Sequence, residues 1–497
     1  LRLDGLSELS RVGIKHNEVT IDLKSIPLLS NALELMQWAE QRERSVYAAL
    51  DGMGEARLKD LPVDIRFEGI LWLQGAQFFI EGKQVAPKRL LMIDDLHKLR
   101  RKQRKLLVEE TTELRPNYPI WLAERNIALG DELLSQGVRQ GRDIREYSLE
   151  QLWSGPGGQQ QFVNYAKNIL DRRLETQSEI PAGAFVQYLS NTTVADDIRI
   201  ALEKGSTAMA EYARHYSSTV LYRDWAKQAE RVLHDGTVES LRDFYVTKIL
   251  ISRDEARRQM TLELDPLPAA ELQARESPQI QSAADIFMND ELEIPYYFGI
   301  DLICSMATSN VEELLSLAAA VYDGVVAKQV LRRPELLLSP AEQEKLLKDA
   351  AKRKHDFIPK SHTEGTRAQK LLDSIGVFCR DRTFLPTAPY APGVTGVRLS
   401  QPELIKLDTL PKGLSDRLLQ LKKVLAECVA ENLLVTRSSA PTVGREGGTV
   451  FYLNRTLCVH HGLPLQFGGW QDVSVERLIE WMERVPLPSR RQRLEFH

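Results

Sequence analysis

The residues best equipped for chemistry stand together in Arg89-Leu90-Leu91-Met92-Ile93-Asp94-Asp95-Leu96-His97. An apolar strand that ends in two acids is the Walker B arrangement. The rigid strand end holds one carboxylate where it can orient Mg2+, directly or through water. It holds a second where it can polarise an attacking water. In that reading Asp94 is the metal and cofactor partner and Asp95 the catalytic base. The same pattern fits a strand running into a helix N-terminus, where acids cap free N–H groups and stabilise the dipole. Spacing alone leaves both open.

Other chemistries find less support. No GxxxxGK[ST] occurs in the 497 residues, so the N–H cradle and lysine that grip β- and γ-phosphates are not among them. Lys204-Gly205-Ser206-Thr207 has the wrong order, and Gly155–Gly158 lacks a lysine. HExxH and GxSxG are absent as well. His460-His461 reads as a turn or polar contact, because a metal site needs two further ligands at suitable spacing.

The acids must be held by the elements around them. Residues 1–153 alternate between helical and extended patterns, with Ser30 placed to cap a helix running through Ser45. Two apolar runs of strand length, Leu90–Ile93 and Ile120–Ala123, flank a charged helical stretch from His97 to Leu114. Short continuous apolar strands separated by helices predict a mostly parallel sheet covered on both faces. The basic run Arg100–Lys105 on that helix reads as a solvated face, as does Lys352-Arg353-Lys354-His355.

Beyond the loop Ser154–Gly158 the pattern is mainly helical to about residue 300, with Ile249–Leu264 ending in an alternation that could be a strand pair. Helices follow over Ile300–Leu331 and after Ser339-Pro340, and a Pro/Gly-rich stretch runs from Phe384 to Gly396. Near the C-terminus come a helix (Leu418–Glu431), a strand (Leu433–Val435), a turn (Arg445–Gly448) and a second strand (Thr449–Leu453). These are the parts of a winged helix. Arg437, Arg445 and Arg455, with His460 and His461, are candidate contacts to DNA phosphates there, although winged helices also serve as protein-contact modules.

Composition sets the outer bounds. At 43% hydrophobic and 27% charged the chain is globular, and its length calls for roughly two to four domains. A formal charge of -4 lacks the strongly basic footprint of a histone-like protein. Cys304, Cys379, Cys428 and Cys458 never form CxxC, which argues against a disulfide framework and for a reducing cytosol. No apolar stretch approaches the ~18–20 residues that span a bilayer, so no membrane partner is expected and the location read is cytoplasmic.

Taken together, five segments resemble the bacterial origin-recognition-like AAA ATPases, members of the AAA+/STAND P-loop NTPases. They are the strand ending at Asp94-Asp95, the arginine after the next strand, Ser309–Leu317, Ala388–Gly396, and Phe451–Cys458 with its continuation to Gly469-Trp470. The resemblance implies an incomplete α/β P-loop ATPase core, a mainly helical lid and winged-helix-like α+β modules. The expected divisions are 1–153 (partial core with Walker B), 154–299 (mainly helical, with the strand pair), 300–400 (lid-like helices and connector) and 401–497 (winged-helix-like module). Arg125 falls where STAND proteins place an arginine that senses the γ-phosphate, a task suited to a guanidinium. It could equally pair with Glu124 or Asp131 at the surface. Glu312 falls where the lid's sensor arginine would be, and an acid cannot pair with phosphate. The phosphate loop of this family precedes Walker B by many tens of residues, so Leu1 is expected to lie inside the ATPase domain. A degenerate pseudo-ATPase is the lesser alternative.

The resulting expectation is an ATP-dependent molecular switch using ATP and Mg2+, hydrolytic if the phosphate loop lies upstream. A protein partner or self-association is expected, and DNA contact only weakly. The resemblance also suggests a role in antiphage or mobile-element biology. The competing expectation is a DNA-binding adaptor or protein-interaction subunit whose ATPase core is only a scaffold.

Overall fold

The computed structural model describes residues 9–17, 26–51, 68–85, 87–96, 99, 101–124, 153, 157–175, 183–193, 195–218, 222–223, 225, 234–261, 278–385, 393–409, 415–441 and 446–486. The chain divides into two compact units, Leu1–Leu129 with Gln136–Glu146, and Gly130–Ser135 with Tyr147–His497. The described residues are mixed α/β and mainly helical, with three small sheets among them.

In the first unit, β1 (Val12–His16), β2 (Ala76–Ile80) and β3 (Lys83–Val85) form an antiparallel sheet in that order. The two-residue turn Glu81-Gly82 joins β2 to β3 with φ of 49° and 79°, the left-handed pair that matches strand twist in tight hairpins. Helix α1 (Ala32–Asp51) is capped by Asn31, whose Oδ1 accepts the Glu34 N–H at 2.9 Å. Ser30 supports that cap by donating to Glu34 Oε1 at 2.6 Å. Helix α2 (Glu68–Gly75) runs straight into β2 and buries Trp72 against Ile14, Ile26 and Ala76.

The unit's second sheet is a parallel pair, β4 (Leu91–Ile93) and β5 (Ile120–Leu122), joined by the crossover helix α3 (Arg101–Leu114). Its register pairs Leu91 with Ile120, Met92 with Trp121, and Ile93 with Leu122. The expected parallel strands are therefore present, but the described sheet is not covered on both faces. Met92 is 66% exposed and its partner Trp121 62% exposed, while their neighbours along each strand are half-buried. The unit's remaining described strands are antiparallel, in a sheet of their own.

The second unit begins with α4 (Gly158–Glu175), α5 (Ala195–Ser218), α6 (Val238–Thr261) and α7 (Pro278–Leu292). The strand pair expected within Ile249–Leu264 is not formed up to Thr261. That stretch continues α6, burying Ile249, Leu250 and Ile251 on the faces that pack in the helical core. Leu262 and Leu264 lie outside the described residues. Next come α8 (Ile300–Met306), α9 (Val311–Val330), α10 (Pro340–Ser361) and α11 (Gly365–Thr383). Ser339 and Glu342 cap α10 reciprocally, and Pro340 occupies its first turn, where no N–H is needed.

The unit ends in a four-stranded sheet ordered β7 (Leu434–Ser439), β8 (Gly448–Leu453), β6 (Val394–Ser400) and β9 (Gly469–Asp472). β6 pairs antiparallel with β8 and parallel with β9, and β7 pairs antiparallel with β8. Helices α12 (Gln401–Thr409), α13 (Ser415–Ala430), α14 (Arg455–His460) and α15 (Val475–Glu483) complete it. β6 is buried almost throughout. Its one charge, Arg398, donates from Nη2 to Asp472 Oδ2 at 3.0 Å and from Nη1 to the Glu446 carbonyl at 3.1 Å. Among the described residues no helix is long and apolar enough to cross a membrane.

Candidate functional site

The two acids sit at the carboxyl end of the parallel pair, the end where open α/β sheets bind ligands. Their placement follows from the backbone. The Ala123 N–H donates to the Ile93 carbonyl at 2.9 Å, and the Leu96 N–H returns to the Ala123 carbonyl at 3.1 Å. Between these two bonds Asp94 and Asp95 must bulge outward. Asp95 takes φ 59°, a left-handed conformation that Asp tolerates better than most residues. Asp94 Oδ1 accepts the Asp95 N–H at 2.7 Å and fixes the turn. Leu96, 2% exposed, anchors the far side. Asp94 stays exposed and Asp95 half-buried.

The opposite ends of both strands are tied to α2. Arg89 donates to the Leu73 carbonyl, and Tyr118 Oη donates to the Ile70 carbonyl at 2.7 Å. Burial pushes the Tyr118 hydroxyl up to about 12, so it remains a donor. After β5, Glu124 is held by Arg104 of α3 at 3.3 Å. Part of the basic run thus serves α3's own packing. Arg125, the expected phosphate sensor, lies outside the described residues.

Asn310 caps α9 by accepting the Glu312 and Glu313 N–H groups at 2.9 and 3.3 Å. Glu312 points outward, whereas its neighbour Glu313 turns in. Glu313 is paired with Lys354 of α10. It also accepts from Asn454 Nδ2 at 3.0 Å, Thr456 Oγ1 at 3.2 Å and Asn432 Nδ2 at 3.3 Å. The turn before α9, with Thr308 and Ser309 at φ 50° and 60°, is gripped from the same side. Arg455 donates from Nη1 to the Ser305 carbonyl, and its N–H donates to Thr308 Oγ1, both at 3.2 Å. Sequence reasoning singled out this helix start but missed Glu313. Its partners come from three distant segments, and no local pattern announces them.

Of the three arginines read as DNA contacts, two are described. Arg455 is half-buried, 4.4 Å from the Phe467 ring centre, and desolvation lowers its guanidinium to about 10. Arg437 is exposed on β7, with its guanidinium 5.0 Å from the same ring. Arg445 lies outside the described residues. The four cysteines are all buried as free thiols.

With this geometry in hand, the comparisons are specific. A protein-family model described as ORC-CDC6-like matches residues 14–469. No curated protein and no solved structure matches the chain.

Proposed function

The chain belongs to the ORC-CDC6-like family, and from that membership we propose that it works as an ATP-dependent conformational switch of the AAA+/STAND type. The observation that carries this reading is the parallel β4–β5 pair with Asp94 and Asp95 projecting from its carboxyl end. Hard carboxylate oxygens at that position suit a hydrated Mg2+, which takes one or two carboxylates and keeps several waters. When bound, the ion would neutralise charge on the phosphates. Asp94 would hold the ion from the exposed lip of the turn, Asp95 would polarise the attacking water, and Arg125 would read the γ-phosphate. The phosphate-gripping loop is not supplied by these 497 residues. Turnover therefore belongs to a protein that carries such a loop together with this chain.

In the second unit, α8 and α9 are read as the lid, and α13 with the β7–β8 hairpin as a winged-helix-type module. The Arg455 guanidinium is engaged by the Ser305 carbonyl and the Phe467 ring, which favours a protein-contact role for that module over a DNA grip. The deciding experiment measures ATP binding and hydrolysis with this chain and a phosphate loop present in the same protein or complex. Asp95→Asn should keep Mg2+-ATP bound while slowing hydrolysis about a hundred- to ten-thousand-fold. Asp94→Asn should instead weaken Mg2+-dependent binding. Wild-type hydrolysis in both variants would end the assignment.

A further inference from the structure

The second unit gathers three imidazoles around one carboxylate. His355 of α10 is 8% exposed, and its Nε2 lies 2.8 Å from Asp373 Oδ1 on α11. His460, the last residue of α14, stacks on His355 with ring centres 4.0 Å apart and planes 15° from parallel. One ligand atom each from His355, Asp373 and His460 lies within 4.8 Å of the others. His461 follows, with Nε2 3.7 Å from Asp373 Oδ1 and no hydrogen-bond partner although it is buried. Its ring presses on α11 where only glycine fits, since a Cβ at Gly376 would meet ring carbons at 2.4 to 2.5 Å. Its carbonyl is held by Arg380 Nη1 at 2.8 Å, and Arg380 is itself paired with Asp290 at 2.6 Å.

We propose that His355, Asp373 and His460 bind a divalent first-row transition cation, zinc in the first instance, which ties α10, α11 and α14 together. Two imidazoles and one carboxylate are a donor set that suits Zn2+ and its neighbours and disfavours Mg2+ or Ca2+. Tetrahedral ligands at zinc distances sit ~3.3 Å apart, so closing this set requires the stacked His355 and His460 rings to turn until their lone pairs converge. His461 is the nearest further donor, and water can fill the fourth position. The outer ligand support is in place too, because Asp356 Oδ1 lies 3.2 Å from His355 Nδ1.

Adjacent histidines 105 positions beyond His355 look like a turn in the sequence, and the fold itself supplies the two missing ligands. The test uses the whole chain, stripped with a chelator and titrated with Co2+ as a spectroscopic probe. One equivalent should produce intense visible d–d bands of a four- or five-coordinate ion, and Zn2+ should abolish them. Asp373→Asn and His460→Ala should each weaken Zn2+ binding at least ~100-fold, since losing outer-shell partners alone costs about 10–100-fold. The wild-type titration stands even if a variant fails to fold. Weak six-coordinate Co2+ spectra in the wild type would overturn the site, as would intense bands that survive in a folded double variant. Either result would leave a hydrogen-bonded histidine cluster that carries only protons.

Discussion

Asn454 donates from Nδ2 to both carboxylate oxygens of Glu313, at 3.0 and 3.2 Å, across 141 residues of sequence. Asn454 also caps α14, its Oδ1 accepting the Thr456 N–H at 2.8 Å. One amide therefore sets the start of α14 and fixes the start of α9. A carboxylate with this many donors holds its neighbours by the cost of leaving them unsatisfied.

Glu313→Ala should destabilise the second unit by about 2–4 kcal/mol, because Lys354 loses its carboxylate while Asn454 and Thr456 keep only the Asn432 and Met306 carbonyls. Lys354→Met, which leaves the amide and hydroxyl donors satisfied, should cost clearly less. Amide hydrogen exchange on α9 and α10 across a denaturant series would measure both. Equal protection in wild type and Glu313→Ala would remove the carboxylate from the structural argument.

Gly376→Ala has an inverted sign. In an open helix interior, alanine is better than glycine by ~1 kcal/mol. Against the His461 ring, the added methyl should overpack and cost roughly 1–3 kcal/mol. A lower midpoint of thermal unfolding is the expected outcome, and a higher one would show that the ring has room to move.

The 497-residue chain by itself should neither bind ATP tightly nor turn it over, because no residue in it supplies a phosphate loop. Calorimetry with Mg2+-ATP provides the check. Micromolar, Mg2+-dependent binding would reveal a nucleotide site other than the one assigned to Asp94 and Asp95.

Duplex DNA should bind the chain weakly and without a steep salt response. Each phosphate contacted would add about -0.9 to the log–log slope of affinity against salt. Arg437→Ala, which removes one exposed arginine, should change that slope by about one unit at most. Nanomolar duplex binding at physiological salt, read by fluorescence anisotropy, would put the DNA adaptor first.

What the sequence made legible depended on local signals. β4 and β5 were readable as short apolar runs, and their parallel pairing follows from the helix between them. Ser339-Pro340 marked the start of α10 because capping chemistry is local. The family too was readable, from segments scattered over much of the matched range. The β2–β3 hairpin went unread because Glu81-Gly82 is not one of the usual turn pairs and Lys83-Gln84-Val85 offers a single apolar residue. β6 was assigned to a connector because Pro and Gly precede it, and only its pairing with strands 50 and more residues later makes it the sheet's centre. The partial burial of Arg455 and the meeting of His355, Asp373 and His460 are tertiary facts with no local trace.

The position of β6 also has a consequence for how the protein is made. β6 is synthesised first of its sheet, yet both of its neighbours, β8 and β9, emerge later. Until Asp472 has left the ribosome, a strand buried almost throughout in the finished fold carries an unpaired edge. Such an edge is a template for pairing with another chain. Nascent chains stalled between residues 400 and 469 should therefore be the aggregation-prone species, and the ones that most need a chaperone.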